Sequence, residues 1–183
     1  TVNYSNAGTP LTISAVNPVF GGTANSDALV MLGAWQANST LADSLETQDD
    51  AIRLANSEGF QTNDLILVTD LLRAHLFQVT GVNSGTHQLA HASSSPFNVS
   101  AGFTSTWPVG GYPIGSAVYK VTVSTYSYDS VTYRRPALVR IENGGAAQVV
   151  AYDVDGFRVH YELDDGSRTR NPIDLSRISK IIP

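Results

Sequence analysis

The stretch GGYPIGSAVYKVTVSTYSYDSVTYRRPALVRIENGGAAQVVAYDVDGFRVHY, which runs from Gly110 to Tyr161, decides the fold. Its first and last runs place apolar residues at every second position, namely Tyr119, Val121 and Val123, then Phe157, Val159 and Tyr161. This period of two is typical of half-buried strands. A Tyr-rich turn, an Arg-Arg pair and a Gly-Gly break separate the runs. The stretch therefore predicts a β-meander, and no residue in it has the character of a catalytic group.

Length and composition indicate one globular domain spanning residues 1–183. A chain of 183 residues with 42% hydrophobic content can bury its own core. Charged residues make up only 15%, below the usual quarter, and the formal net charge is −5. This weakly charged surface, rich in Ser, Thr and Asn, is typical of extracellular β-proteins. The scattered basic residues form no patch that would support binding to DNA, and Arg134 and Arg135 would point to opposite faces of a strand.

Several classes of function lack their signatures in this chain. The sequence has no Cys, which excludes disulfide staples, thiol catalysis and Cys-ligated metals. It has no Gly-x-Ser-x-Gly elbow, no phosphate-binding Gly-Lys-Ser/Thr loop and no Gly-x-Gly-x-x-Gly turn. No apolar run reaches the roughly 20 residues of a membrane helix. We therefore expect no catalytic residue, no cofactor and no enzymatic activity.

Further strands are predicted upstream and downstream of the meander. Asp27–Trp35 is a continuous apolar run of strand length, and Asp64–Val82 indicates a hairpin with its turn at Asp70–Arg73. Thr86–His91 indicates a short additional strand. The segment Asp164–Pro183 predicts a charged turn followed by a closing edge strand.

Leu41–Leu54 is the one helix candidate. Leu41 and Leu45 would share one face of this helix, with acidic residues on the other. Ala51–Ala55 alternates like a strand, so a polar loop leading into a strand is an equal alternative. With this segment included, the predicted fold class is α+β, mostly antiparallel β-sheet with little helix.

The long irregular segment Ser93–Pro113 carries four aromatic residues. They are Phe97, Phe103, Trp107 and Tyr112. Loops of this length inside a compact domain are usually functional or contact loops. The four rings could bind a partner protein, a sugar or a nucleic-acid base by stacking. They could equally pack into the core.

Acidic clusters and histidines give weak metal candidates. Asp164, Asp165 and Asp174 offer oxygens for calcium within one loop, although nearby Arg residues would oppose a cation and an Asp-Gly hairpin turn also explains them. In Asp153–Gly156 the β alternation resumes before a calcium loop can form. His87 and His91 stand four apart, but on a strand they would be about 13 Å apart. We expect no metal site.

Several motifs together resemble minor pilins of the PilW type. Gly115–Tyr119 resembles the strand that opens the last sheet of that family, and Val131–Arg135 resembles its strand ending in an aromatic residue and Arg. Gln148–Tyr161 is similar to its closing pattern of valine, aromatic residue and valine-x-tyrosine. Ser26–Leu29 and Thr62–Leu67 fit the family's order of elements.

The resemblance implies a pilin-like globular headgroup without the hydrophobic N-terminal helix of such pilins. That helix, which anchors the subunit in the membrane and forms the filament core, would have been removed or would lie on a separate polypeptide. The implied role is a structural subunit that helps prime or cap a type IV pilus, supporting adhesion, twitching or DNA uptake. The implied partners are other pilin or minor pilin subunits. The implied location is the pilus on the bacterial cell surface. Before assembly, the subunit would reside in the inner membrane.

Two alternatives remain open at the level of sequence. The J-type pseudopilins of type II secretion share the headgroup architecture of the PilW-type pilins. A stand-alone extracellular carbohydrate-binding β-module would account for the low charge and the aromatic loop.

Overall fold

The structure, a computed structural model, describes residues 2–19 and 26–182. Strand accounts for 47% of the chain and helix for 5%, and no helix of seven or more residues occurs within the described ranges. The predicted α+β class, and with it the pilin-like headgroup fold, is therefore wrong, because the chain is nearly all β. No described helix has the length and apolar character needed to span a membrane.

The described residues form fifteen strands and three short 3-10 helices. The strands are β1 (Val2–Asn6), β2 (Thr9–Ile13), β3 (Val16–Val19), β4 (Ala28–Thr40), β5 (Ile52–Arg53), β6 (Leu65–Thr69), β7 (Ala74–Gln78), β8 (Gly81–Asn83), β9 (Gln88–Ala90), β10 (Ala117–Asp129), β11 (Ala137–Glu142), β12 (Gln148–Tyr152), β13 (His160–Leu163), β14 (Arg168–Thr169) and β15 (Ile178–Ile182). The 3-10 helices are Pro96–Asn98, Ser100–Gly102 and Leu175–Arg177.

The chain divides into two compact units. Unit 1 consists of Thr1–Ile13 and Ala34–Val121, and unit 2 consists of Ser14–Gly33 and Thr122–Pro183. The long strands β4 and β10 each contribute residues to both units. The single domain over residues 1–183 stays a prediction.

Unit 1 is built on the hairpin of β6 and β7. These strands pair antiparallel from Leu65↔Gln78 to Thr69↔Ala74, which confirms the hairpin and its turn at Asp70–Arg73. β6 also pairs with the first residues of β10, and β7 pairs in parallel with β1. A small sheet of β5, β9 and β8 completes the unit, and β9 confirms the strand predicted within Thr86–His91.

The predicted helix at Leu41–Leu54 is wrong, and the alternative of a loop leading into a strand is confirmed. Leu41 forms an antiparallel bridge with Leu54, and Leu45 forms one with Tyr112. β5 then pairs with β9 at Ile52↔Leu89. The leucines of this segment are at most 2% exposed. Burial against residues distant in sequence therefore decides the conformation, and local helix propensity does not.

Unit 2 contains the predicted meander. β10 pairs antiparallel with β11, and β11 pairs antiparallel with β12 with a bulge between Leu138 and Val139. Val131–Arg135, predicted as strand, forms bends instead. The carboxylate of Asp129 accepts hydrogen bonds from the backbone N–H groups of Val131 and Thr132, both at 2.8 Å, which closes a turn after β10. Pro136 then precedes the start of β11.

The rest of unit 2 places β13 between β14 and β15 in a three-stranded sheet. β15 confirms the predicted closing edge strand. The strand predicted within Asp27–Trp35 is also confirmed, as part of the longer β4, although Leu29 is buried while its neighbours are half-buried. Leu29 packs with Val159 and Tyr161 in the small apolar cluster of this unit.

Candidate functional site

The aromatic residues of the long loop lie mainly in the core of unit 1. The rings of Phe103 and Tyr112 are fully buried, while Phe97 and Trp107 are half-buried. The indole N–H of Trp107 donates to the backbone oxygen of Glu46 at 2.9 Å and so fixes the loop. A fully buried ring offers no face to a ligand, so Phe103 and Tyr112 pack rather than bind in this conformation. A binding role for the loop stays a prediction.

A buried histidine that the sequence did not single out organises these rings. The imidazole of His75 on β7 lies 5.4 Å from the ring of Phe103, 5.0 Å from Trp107 and 5.8 Å from Tyr112. Its Nδ1 lies 2.6 Å from the hydroxyl of Tyr112, and its Nε2 lies 3.0 Å from the hydroxyl of Thr106. The signal in the sequence is a single His inside the apolar strand Ala74–Gln78.

The hydrogen bonds assign the proton on His75. The Thr106 hydroxyl donates to the backbone oxygen of Phe103 at 3.2 Å, so it accepts from Nε2–H of His75. The Tyr112 hydroxyl then donates to Nδ1. Burial, with a smaller effect from Arg73, lowers the pKa of His75 to about 4. Burial raises the pKa of Tyr112. Both groups are neutral and paired, which suits packing better than proton transfer with a substrate.

The acidic residues considered for calcium have other partners. The guanidinium of Arg177 contacts Asp164 at 2.9 Å and Asp165 at 2.6 Å, and Asp174 accepts from the backbone N–H of Ser176 at 3.0 Å. The hydrogen bonds from Ser167, with Arg177, lower the pKa of Asp165 to about 2. No group of three or more metal-ligating side chains occurs among the described residues. The positively charged guanidinium of Arg177 therefore already contacts two of the three carboxylates considered for calcium.

The two histidines with helical spacing do not converge. Nδ1 of His87 lies 3.1 Å from the hydroxyl of Ser57, and Nε2 of His91 lies 2.5 Å from the backbone oxygen of Asp50. His91 is buried, and burial lowers its pKa. The structure therefore gives each of them its own partner within unit 1.

An exposed group of aromatic and charged side chains lies at the end of β12 in unit 2. We name it the Tyr152 cluster, and it consists of Tyr133, Arg135, Tyr152 and Asp153. The guanidinium carbon of Arg135 lies 4.3 Å from the ring centroid of Tyr152, and the same guanidinium contacts Asp153 at 2.9 Å. The rings of Tyr133 and Tyr152 meet edge to face at 6.3 Å. Arg135 is thus held in place by a ring and a carboxylate together.

The local fold explains how these residues meet. Ala137 of β11 pairs with Tyr152 of β12, and the backbone N–H of Asp153 donates to the oxygen of Pro136 at 2.8 Å. The bend that carries Tyr133 and Arg135 therefore lies beside the end of β12. Asp153 takes a positive φ of 60°, an uncommon value for a residue other than glycine.

The strand beneath the Tyr152 cluster has an open edge. β12 pairs with β11 on one side and, in the part of the chain that the structure describes, with no strand on the other. Its sequence, Gln-Val-Val-Ala-Tyr, contains neither a charged residue nor a proline, the residues that usually protect an edge. Val150 is 53% exposed and Tyr152 is 46% exposed. An open edge with an exposed tyrosine and a positioned arginine is suited to binding another polypeptide.

Sequence reasoning found only part of this cluster. It placed Arg134 and Arg135 on a strand, and it considered no binding role for Tyr152. The available signal was Pro136 directly after the Arg pair, because proline within a strand-like run argues against an uninterrupted strand.

No family model, no curated protein and no solved structure matches this chain.

Proposed function

We propose that this chain is a structural subunit of a bacterial type IV pilus, a minor pilin of the PilW type, that binds other pilin subunits and helps to prime or cap the filament. Its work is assembly and not chemistry. The α+β headgroup fold that the resemblance implied is wrong, so the proposal does not rest on fold class. It rests on the Tyr152 cluster and the open edge of β12.

The position of this surface supports the proposal. Its residues come from Val131–Arg135 and Gln148–Tyr161, two of the stretches that resemble the PilW-type pilins. The Tyr152 cluster would therefore let subunits recognise one another through two of the segments that carry the resemblance.

The chemistry of the surface supports a protein partner. Tyr and Arg are enriched among the residues that carry most of the binding energy at protein interfaces. The ring of Tyr152 and the carboxylate of Asp153 already restrain Arg135, so less side-chain entropy is lost when a partner binds. The edge of β12 can add main-chain hydrogen bonds to a strand of the partner.

The carbohydrate-binding alternative gains less from the structure. The rings of Phe103 and Tyr112 are buried, and the guanidinium of Arg135 covers one of the two faces of Tyr152 that a sugar would need for stacking. The J-type pseudopilin alternative would use the same surface, and the genes beside the encoding gene would distinguish it.

Complementation of a deletion strain tests the proposal. In the source bacterium, loss of the encoding gene should abolish or sharply reduce surface filaments, and the wild-type gene should restore them. The double variant Arg135→Ala/Tyr152→Ala should reach the same cellular level and fail to restore filaments. Arg168→Ala, which removes an exposed arginine paired with Glu162 in the same unit, is the matched control and should restore them.

Two results would overturn the proposal. One is normal filament formation by the double variant. The other is an encoding gene that specifies, upstream of Thr1, a conventional signal peptide or an unrelated domain in place of a prepilin leader and a hydrophobic helix.

A further inference from the structure

The tip of the hairpin of β6 and β7 exposes two adjacent leucines. Leu71 is 87% exposed and Leu72 is 90% exposed. We name these two residues the leucine tip. Two large apolar side chains presented side by side form the kind of surface feature that marks an interaction site, unlike a single exposed leucine.

The leucine tip is held in a strained conformation. Leu71 has a φ of +74°, a left-handed value that is unfavourable for a bulky side chain. The hydroxyl of Thr69 accepts from the backbone N–H of Leu71 at 3.0 Å, and the carboxylate of Asp70 accepts from those of Leu72 and Arg73 at 2.9 and 2.7 Å. Glycine would take this φ without strain, so the leucine side chain is kept at a cost in stability.

A shallow groove, lined mostly by apolar residues together with Thr69, Asp70 and Ser116, lies directly beside the tip within unit 1. Its volume is about 410 Å³, and its lining includes Leu71, Pro113, Ile114 and Tyr119. Ile114 is 66% exposed. The leucine tip and the groove are therefore neighbours on one surface, and Leu71 belongs to both.

The charges at the tip favour contact with an identical surface. Asp70 precedes the two leucines and Arg73 follows them, so the tip carries one charge of each sign. Two tips that met with opposite chain directions would place Asp70 of each copy near Arg73 of the other. Elsewhere acidic residues outnumber basic ones in unit 1, so the tip is a place where two copies can meet without repulsion.

We propose that the leucine tip is a homotypic contact, in which the leucines of each copy seat in the groove beside Ile114 of a second copy of this chain. A surface that carries both a projection and its receptor is self-complementary, as a two-fold interface requires. The surface is small, so the pair is weak and forms at high local concentration. This contact is independent of the proposed function, since it uses unit 1 and none of the Tyr152 cluster.

Sedimentation velocity over a wide concentration range tests the contact. The wild-type chain should move from its monomer mass of 19.5 kDa toward twice that value as concentration rises. Leu72→Ser should raise the dissociation constant at least tenfold with an unchanged circular dichroism spectrum. Val109→Ser is the matched control, because Val109 is a fully exposed apolar residue of the same unit, and it should leave the dissociation constant unchanged.

A second variant separates binding from folding. Leu71→Gly relieves the strained φ, so it should keep or raise the thermal stability and still weaken the association several-fold. A purely structural role for Leu71 predicts that association is unaffected.

Cross-linking locates the contact, since the wild-type chain has no cysteine of its own. A mixture of Leu72→Cys and Ile114→Cys chains should form a mixed disulfide faster than a mixture of Val109→Cys and Ile114→Cys chains. A monomer at all concentrations, or equal loss of association in Val109→Ser, would overturn the proposal. Flotation of a monomeric chain with neutral lipid vesicles, lost in Leu72→Ser, would also overturn it and assign the tip to a lipid surface.

Discussion

Unit 1 and unit 2 are both mainly antiparallel β-structures, yet their described residues differ in apolar burial and in ion pairs. The core of unit 1 joins aliphatic side chains from β5, β6 and β9 with the rings of Phe77, Phe103 and Tyr112, all fully buried. Among the described residues, the apolar cluster of unit 2 has three buried members, Leu29, Val159 and Tyr161, with half-buried neighbours around them. Among the described residues, apolar burial is therefore more extensive in unit 1 than in unit 2.

Among the described residues, ion pairs are more frequent in unit 2 than in unit 1. The described pairs of this unit involve Arg135, Arg140, Arg168, Arg170 and Arg177 with nearby carboxylates. Most of these pairs are exposed and contribute little individually. The pair of Arg170 and Asp27 differs, because Asp27 is only 4% exposed. We therefore expect removal of the Asp27 carboxylate to weaken unit 2 more than removal of any exposed partner in this unit.

The largest effect should come from removing a ring in unit 1. Phe103→Ala should lower the free energy of unfolding by about 3 to 5 kcal/mol, because the ring is fully buried and a cavity would remain among Phe77, His75 and Trp107. Phe157→Ala, at a half-buried ring of unit 2, should cost less than half as much. Urea unfolding followed by circular dichroism measures both. Equal losses would remove the contrast between the two cores.

Removing the buried carboxylate of unit 2 should have the next largest effect. Asp27 accepts from the guanidinium of Arg170 at 2.8 Å and from the backbone N–H of Val159 at 3.0 Å. Asp27→Ala should cost about 3 kcal/mol, the lower end for breaking a buried pair, because Arg170 keeps partial exposure.

The matched control for Asp27→Ala is Arg168→Ala, which breaks an exposed pair of the same unit and should cost less than about 1 kcal/mol. Hydrogen exchange should show the loss of protection in β13 and the start of β4. If Asp27→Ala and Arg168→Ala cost the same, the buried pair is not what stabilises unit 2.

A pH series should reveal the buried histidine of unit 1. The pKa of His75 falls from its ordinary value of 6.5 to about 4 in the folded chain. The unfolded chain therefore binds more protons than the folded one between these values, and stability decreases as the pH falls from about 6.5 to about 4. The loss should be on the order of 2 kcal/mol.

The variant His75→Gln should reduce this pH dependence in urea unfolding. His91→Gln should also reduce it, because burial lowers the pKa of His91 in the same direction, and the double variant should lose more of the pH dependence than either single variant. A pH dependence unchanged in His75→Gln would show that His75 is not neutral in the folded chain.

The sequence predicted the elements whose partners are close in the chain. The hairpin of β6 and β7 and the meander of β10 to β12 follow from alternating apolar residues separated by short turns. The segment Leu41–Leu54 could not be assigned in the same way. Its conformation depends on the bridge between Leu45 and Tyr112, which are far apart in sequence. Two leucines four residues apart fit one face of a helix, and they fit a pair of isolated β-bridges equally well.

The Tyr152 cluster illustrates the same limit for a site. Arg135 meets Asp153 because Ala137 pairs with Tyr152, and this register depends on the bulge in the pairing of β11 and β12. Composition and spacing carry no information about a bulge. The aromatic residues of the loop Ser93–Pro113 were evident from the sequence. Whether their rings are exposed depends on how the loop packs against His75 of β7.

The smallest effect should come from the acidic turn at the end of unit 2. Arg177→Ala should change the free energy of unfolding by less than about 1 kcal/mol, because its pairs with Asp164 and Asp165 are exposed. Millimolar calcium should leave the melting temperature of the wild-type chain unchanged, since the guanidinium occupies the space between those carboxylates. Calcium-dependent stabilisation of Arg177→Ala alone would show that arginine excludes the ion. Stabilisation of the wild-type chain would show instead that Asp164, Asp165 and Asp174 rearrange to bind calcium, and unit 2 would then depend on a metal ion as well as on its ion pairs.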